Sequence, residues 1–567
     1  MSASTFTGGV NSVVSTYVNP VYAFKPSSDQ TAYPPTHHPV IVVGGGPTGL
    51  YCALDLAKQG IPSVVLDEDN TVSYGSRALC FSKRSLEILD RVGCGQAMVD
   101  KGVTWQLGKV FFHERQVYEF NLLPEDGHQR PAFINIQQYY PEEFLVNRIQ
   151  DFPEIDLRWQ TKVTQVKKVG ELVEVSVTTP AGDYRMTCDY VLVADGANSP
   201  IRESLGRPSS GQIFNDTFLI ADILMKADFP TERWFWFDPP FHPGQSVLLH
   251  KQPDGCWRID FQLGPNADRQ AWRDPEKVRP LVKAMLGDDI EFEFEWLSVY
   301  SFRCRRMDSF IHEDQILFVG DSAHQVSPFG ARGANGALQS AENLIWKLTR
   351  VLKQQAPAAL LRTYDQERSQ GADENILNST RATDFITPKN RMTRFFRDTV
   401  LELAEQYTFA RPLVNSGRLS LPCIYEASPL SIPDTTTDHF PKALRPGSSC
   451  KDAPIKALNA AHSAEPWLLQ QLGDRFVLLV DGRALPSEAL AQLEQVADLD
   501  IVVIAEQVSS NYTTLKDSVG LVTERYDLQP GTAYLIRPDQ HVAARWRQVR
   551  ADKVLAAMQR ALGKELI

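Results

Sequence analysis

The sequence predicts an α/β protein in which a Rossmann-like domain carries an inserted antiparallel sheet and a small α/β domain follows at the C-terminal end. Three observations predict it. From Pro39 to Asp67 an apolar strand (VIVV), a glycine-rich turn, a helical stretch (LYCALDLAKQG) and a second strand (PSVVLD) make one βαβ unit. Between about 212 and 303 four strand-like runs (FLIADILM, SVLLHKQ, CWRIDFQL, FEFEWLSVYSF) follow one another without helical patterns, which reads as an antiparallel sheet. Beyond residue 455 strand patterns return in RFVLLVDG, LDIVVIAE and TAYLIRPDQHVAARWR, closed by a helix near 552–563.

Taken in order, residues 1–38 are polar, then rich in Pro and Ser, and read as an irregular arm ahead of the first strand. Residues 39–430 form the main region, with segments of about 106–135 and 207–303 assigned to the inserted sheet. A stretch rich in Pro, Ser and Thr, 431–455, reads as a linker, and 456–567 as the last domain.

Charge and cysteine usage narrow the function. Fifty-eight Lys and Arg against 69 Asp and Glu leave a net charge of −11, which disfavours a nucleic-acid partner. Apolar residues at 43% suffice for real cores and exclude a disordered chain. The eight cysteines never fall closer than fourteen residues apart, so neither a CxxC pair nor a zinc-type spacing exists, no metal is expected, and reduced thiols point to the cytoplasm. The most apolar stretch, about 40–57, is broken by Gly44, Gly45, Gly46 and Pro47, so neither a secretion signal nor a membrane span is expected.

Three motifs carry chemistry. Gly44-x-Gly46-Pro47-Thr48-Gly49 joins a strand to a helix, the context that a dinucleotide fingerprint requires. Gly44 permits the tight turn, Gly46 lets a pyrophosphate approach the backbone, and Gly49 allows close helix packing. The second strand ends at Asp67, followed by Glu68, where an acid accepts hydrogen bonds from a ribose. In the second motif, CDYVLVADGANSPIRESLG, an apolar strand delivers Asp195 and Gly196 to a helix start. In the third, ILFVGDSAHQVSPFGARGANGALQ, a strand ends at Asp321, a loop holds Pro328, and Gly333, Ala334 and Asn335 open a long helix. A strand-end Asp bonds a polyol chain, and unpaired helix amides hold an anionic ring edge. Each motif alone is also compatible with a structural turn.

Together the three motifs resemble the aromatic-hydroxylase branch of FAD-dependent monooxygenases, the family of para-hydroxybenzoate hydroxylase and phenol hydroxylase. The resemblance covers 39 to about 430 and is closest to the subgroup of 3-(3-hydroxyphenyl)propionate hydroxylase-like and flavonoid hydroxylase-like enzymes, through HHPVIVVG, GSRALCF and SPFGARGAN. It implies that Gly44, Gly46, Pro47, Thr48, Gly49, Asp67 and Glu68 hold the adenosine end of FAD, although many relatives carry Glu where Asp67 stands. It places Arg77 near the pyrophosphate and the nicotinamide approach. It matches Gln138 to a flavin-touching Gln, with Gln137 as an alternative register. Asp195 and Gly196 match the second fingerprint, Asp321 the ribityl-binding Asp, and Pro328 with Gly333, Ala334 and Asn335 the segment flanking the isoalloxazine.

The implied reaction uses FAD with NADPH or NADH as co-substrate and dioxygen. Hydride reduces the flavin, oxygen adds at carbon 4a, and the hydroperoxide attacks an electron-rich aromatic ring. A single GxGxxG agrees with a nicotinamide that visits transiently. On the inserted sheet, alternation sets Trp257, Ile259 and Phe261 on one face and Arg258, Asp260 and Gln262 on the other. The family's hairpin carries substrate-facing polar residues and an Arg near the flavin, which implies that Arg258 takes the place of that Arg and that His250 and Gln252 face the substrate; His250, Arg258 and Pro328 form the catalytic set. His250 is expected to suit proton traffic near neutrality, while His324 is read as structural. The C-terminal block resembles the thioredoxin-like domain of the phenol hydroxylase branch, through GTAYLIRPDQHVAARW; without CxxC, packing or formation of a homodimer is the role left to it. Alternatives are a flavin-dependent epoxidase or reductase on a non-aromatic substrate and a non-catalytic FAD-binding protein.

Overall fold

Val40, Ile41 and Val42 have no exposed surface, and the strand that holds them, His37–Val43, pairs in parallel on both sides, with Ser63–Leu66 and with Gly182–Val193. A strand covered on both faces has no need of alternation, which is why its sequence is continuously apolar. The computed structural model describes residues 15–565, apart from 76, 228, 265, 415–418, 460–465, 509–511 and the side chain of Asn215. The first fourteen residues of the arm lie outside the described residues.

The first sheet runs Ile311–His312, Ile316–Phe318, Gly182–Val193, His37–Val43, Ser63–Leu66, Ile155–Arg158, with the antiparallel strands Lys162–Val169 and Leu172–Thr179 attached to the long third member. The strands Ile316–Phe318, Gly182–Val193, His37–Val43 and Ser63–Leu66 are mutually parallel, so their C-terminal ends share one edge. Asp321, Asp195, the Gly44–Gly46 turn and Asp67 all follow those ends. In open α/β sheets that edge is where ligands bind. Helix Pro47–Lys58 covers the sheet with Leu50, Leu54 and Leu56, and Pro47 at its first position supplies the fixed φ that suits a helix start.

The inserted sheet has eight strands in the order His324–Gln325, Phe292–Met307, Ser209–Met225, Cys256–Gly264, Ser246–Lys251, Arg233–Phe237, Leu107–Phe112, Arg115–Asn121. Trp257, Ile259 and Phe261 enter one core with Leu219, Ile223, Val247 and Leu249, while Arg258, Asp260 and Gln262 take the opposite face. The alternation read from sequence holds. One correction applies: this block does contain a helix, Pro275–Leu286. Asp274 caps it by accepting the Glu276 amide, and Val278 and Val282 fill the core beneath the sheet. Its apolar residues Val278, Leu281, Val282, Met285 and Leu286 do recur at helical spacing and pack on that core; Pro280 in its middle is the feature that argues against a helix.

The last domain has the strand order Ile455–Ala457, Thr513–Asp517, Leu499–Ile504, Phe476–Asp481, Ala533–Ile536, Val542–Trp546. Its last four strands in that order, Leu499–Ile504, Phe476–Asp481, Ala533–Ile536 and Val542–Trp546, a parallel pair extended by an antiparallel pair and followed by helix Ala551–Ala561, reproduce the thioredoxin arrangement. Leu444, Cys450, Ala453 and Ile455, from the stretch read as a linker, belong to this domain's core. The described part of the arm carries one short 3-10 helix, Ser28–Thr31, and is held by contacts. Tyr17 stacks on Tyr139 at 4.1 Å and donates to Glu143 at 2.9 Å, Tyr22 stacks on Trp159 at 4.5 Å, and buried Asp29 meets both His38 and Arg158 at 2.8 Å.

Candidate active site

The glycine turn explains its own composition. Gly44 has φ +107°, and a Cβ there would sit 2.4 Å from Ala194 O; at Gly49 a Cβ would fall 2.0 Å from Gly44 O. Around Gly46 nothing lies within 4 Å of the Cβ position, so bare backbone faces open space at the start of a helix. That is the cradle a phosphate requires. Thr48 packs its side chain toward Gly320, at the foot of the third motif. Asp67 accepts the amides of Gly45 and Asp69, yet burial pushes its carboxyl up to about 6. Glu68 is exposed and pairs with Lys162.

Three further groups line the same edge. Asp195 accepts the Ile201 amide at 3.2 Å through Oδ2, while its buried Oδ1 has no partner; Gly196 beside it has φ +82° and open space. Asp321 is reached by solvent and yet so surrounded by protein that burial raises its carboxyl to about 6, which describes a group on the wall of a deep cleft. Arg77 is exposed, and its charge opposes that rise at Asp321 and also at Asp69.

Gln138 accepts the Ala78 amide at 2.9 Å and donates to Glu142 at 2.8 Å, which ties the GSRALC segment to helix Tyr139–Ile149. Gln137 is buried with both amide atoms unpartnered. Of the two registers, it is Gln137 that retains hydrogen-bonding capacity.

Helix Gly333–Leu352 makes its first intrahelical bond from Gly336 N–H to Arg332 O, which leaves the amides of Gly333, Ala334 and Asn335 ahead of it. The Asn335 side chain is already committed: it accepts from the Ser82 amide and Ser85, and donates to Cys80 O at 2.9 Å. Its contribution to a ligand is therefore its backbone. Pro328 is exposed, and the next residue, Phe329, anchors the loop by ring contacts with Phe218 at 4.8 Å and Phe302 at 5.5 Å. His324 is buried and bonded to Ser340 at 2.9 Å, a structural placement.

On the inserted sheet His250 pairs with Arg258 across the hairpin. Arg258 meets both oxygens of Asp222 at 2.8 Å, and Gln252 donates to Asp222 Oδ1 at 2.8 Å. Burial opposes the Arg258 charge, but Asp222 more than offsets it. His250 stands 3.9 Å from Cys80 Sγ through Nδ1. Here the expectation of a neutral-range titration fails: burial, aided by the nearby Arg233 and Arg258 charges, pushes His250 well below its ordinary value, so it is a neutral hydrogen-bonding group. Asp260 on the same face is raised to about 6 by burial, against the pull of Arg258 and Arg233. Asp222, Arg233 and Cys80 were not singled out in the sequence. An acid inside the apolar run FLIADILM was the available signal for Asp222.

The residues present fit FAD. An open cradle at Gly46, two acids at strand ends, an orphaned Asp195 oxygen and free helix amides together suit a phosphate, two polyols and an anionic ring edge. Residues 37–379 match the FAD-binding-domain family, and the chain belongs to it. It is 27% identical over 549 residues to the 6-methylpretetramide 4-monooxygenase of Streptomyces rimosus, spanning 92% of this chain and 93% of that one. It is 25% identical over 370 residues to a 3-(3-hydroxy-phenyl)propionate/3-hydroxycinnamic acid hydroxylase of Mycolicibacterium smegmatis, 64% of each chain. The crystal structure of the flavin-dependent monooxygenase PieE in complex with FAD and substrate has the same fold, with a TM-score of 0.77 at 21% identity, over 93% of this chain and 99% of that one. The protein is an FAD-dependent monooxygenase of the aromatic-hydroxylase class.

Proposed function

We propose that this enzyme uses NADPH or NADH and dioxygen to hydroxylate a phenolic or similarly electron-rich ring held between the hairpin face and the first turn of helix Gly333–Leu352. The observation that carries this reading is the chain His250–Cys80–Asn335, which brings the hairpin's polar face to the helix start. Bound FAD would supply hydride acceptance and dioxygen activation. Asp67 and the Gly46 turn would hold its adenosine end, Asp195 and Asp321 its centre, and the Gly333, Ala334 and Asn335 amides would stabilise negative charge at its ring. Arg77, exposed and close enough in charge to lower Asp321, is suited to guiding the anionic nicotinamide cofactor. His250 and Arg258 would orient the substrate hydroxyl, and Pro328 would border the ring. Product formation with oxygen drawn from dioxygen tests this reading.

The assignment of partners includes a second copy of this chain. Helix Arg391–Gln406 exposes Met392 (75%), Phe395 (68%) and Phe396 (57%), and the turn after it exposes Phe409 (67%). Arg391 and Arg394 lie at one end of the helix and Glu402 and Glu405 near the other, so two antiparallel copies would match charges while covering the aromatic stripe. Among the described residues no helix is long and apolar enough to cross a membrane. The eight unpaired cysteines support a reducing, cytoplasmic setting.

A further inference from the structure

One row of side chains crosses the inserted sheet from strand to strand. Asp222 stands opposite Arg258, Arg258 opposite His250, and the antiparallel pairing of Trp234 with Leu249 brings Arg233 beside His250. On the far side of Arg233 the row meets Gly108, which adds no side chain. Strand alternation groups Arg233 with Phe235 and Phe237, which pack with Leu248 and with Phe329, the neighbour of Pro328. This is the hairpin's polar face, joined to the start of helix Gly333–Leu352 through Cys80 and Asn335.

The two guanidiniums of the row are placed differently. Arg258 meets both oxygens of Asp222 at 2.8 Å. Arg233 is only 8% exposed, yet its contacts are the Cys80 sulfur, to which Nη1 donates at 3.7 Å, and the Trp105 ring, 5.8 Å away. Among the described residues no carboxylate pairs with it. Cys80 supplies no negative charge, because burial raises its thiol above the ordinary value. Asn135, the other polar side chain at this spot, is committed: it accepts from Trp105 at 2.8 Å and from Cys80 at 3.2 Å, and donates to Lys251 O at 2.8 Å. Asp260 lies in the next row, with Leu248 between its strand and that of Arg233, and makes no ion pair with it.

A guanidinium withdrawn from water without a counter-ion is costly, and it is retained where a ligand supplies the missing charge. Its planar fork suits an anionic oxygen. The next atom along the row able to join such a contact is His250 Nε2, which is buried and has no partner. We propose that Arg233 is a specificity-determining residue that pairs with an anionic oxygen of the substrate, carried by a carboxylate or by an ionised ring hydroxyl, with His250 Nε2 donating to the same group. The proposal rests on the hydroxylase reading given above and extends it from the reaction to the substrate class.

Two sets of matched probes separate the two sources of charge. Hydroxylated aromatic acids of one to four rings are each compared with their own carboxamide. In the second set 4-nitrophenol, at a pH where it is ionised, is compared with 4-nitroanisole. Binding to FAD-loaded enzyme is measured by titration calorimetry. In at least one set the anion is expected to bind about tenfold more tightly than its neutral partner. Preference in the first set assigns a carboxylate, and preference in the second assigns the ring oxygen. Arg233→Gln should erase the preference and leave the affinity of the neutral probe in place, while Arg233→Lys should restore part of it. Both variants are compared at full flavin content, and a ratio between matched ligands does not move with a general loss of folding. Neutral probes that bind as tightly as the anions in both sets, or a preference that persists in Arg233→Gln, overturn the proposal. Either result leaves the hydroxylase reading standing as long as a phenol stimulates NAD(P)H oxidation; if no phenol in the panel does, that reading falls as well.

Discussion

Arg537 of the thioredoxin-like domain places Nη1 2.6 Å from Glu367 Oε1 on helix Arg362–Ile386 of the FAD-binding region, and neither side chain has measurable exposure beyond 1%. Lys347 adds a contact of 2.7 Å to the same carboxylate, Ser428 another of 2.6 Å, and Arg537 also grips Asp539. Trp346 and Leu360 from the first region enter the second region's core. The C-terminal domain is thus joined to the FAD-binding region through a buried, charged network.

Removing one partner of such a pair costs about 3–5 kcal/mol, because it strands a buried charge. Arg537→Ala should therefore lower the melting temperature markedly, while replacement of an exposed pair such as Arg550 and Asp552 should change it little. Truncation near residue 430 is expected to cost more still, although it takes away no group placed in the active site. The sign of the pH dependence follows. Burial works against the Glu367 charge, but Arg537 and Lys347 outweigh it and hold its carboxyl below the ordinary 4.5. Its stabilisation is complete above that value and is lost as the pH falls toward the folded value. Thermal unfolding of Arg537→Ala and the parent across pH 3–7 checks this, with the two curves converging in acid.

Asp321→Ala should weaken FAD binding through lost hydrogen bonds to a polyol, each worth about 0.5–1.5 kcal/mol. Apoenzyme titration with FAD measures it, and unchanged affinity would remove Asp321 from the site. Burial raises both Asp67 and Asp321 to about 6 in the folded protein. A raised acid is a penalty that grows as the pH climbs from the ordinary 3.8 to 6, so the apoenzyme should lose stability across that window. Asp321→Asn should flatten the slope.

His250→Ala or Arg258→Ala should slow product formation and raise the fraction of NAD(P)H lost as hydrogen peroxide, since a badly held ring is attacked too slowly. Because His250 is neutral at ordinary pH, its removal should leave the pH profile of turnover between 6 and 8 in place. A profile that loses a limb in His250→Ala would return the proton-transfer role to this residue. Full coupling in both variants would move the substrate's polar contacts elsewhere.

How much of this was legible in the sequence follows from the physics of each part. The fingerprint turn was readable because Gly44 and Gly49 answer to local sterics that only glycine satisfies. The two faces of the hairpin were readable because strand alternation is strict. Helix Pro275–Leu286 carries a legible apolar period at Val278, Leu281, Val282, Met285 and Leu286, and it was its internal Pro280 that argued against a helix. The Asp222 partnership of Arg258 joins residues 36 apart in sequence, and no local pattern encodes such a pair. His250 was read with its ordinary basicity because desolvation is a property of the packed site alone. The thioredoxin-like block was visible as strands and a helix, but the Arg537–Glu367 contact that fastens it spans 170 positions.

The exposed stripe on helix Arg391–Gln406 predicts self-association. The unaltered chain should elute at twice its mass, and Phe395→Asp with Phe396→Asp should elute at the mass of one chain with FAD retained. A dimer that survives both substitutions would place the contact on another surface.

The most direct test of the central claim is oxygen labelling. FAD-loaded enzyme is given NAD(P)H, isotopically heavy dioxygen and a panel of phenolic aromatics, and products are weighed by mass spectrometry. The account predicts a hydroxylated product carrying one heavy oxygen atom, formed with NAD(P)H oxidation that the substrate stimulates. A product whose added oxygen comes from water, or NAD(P)H oxidation that proceeds equally without any aromatic compound and yields only hydrogen peroxide, would contradict it.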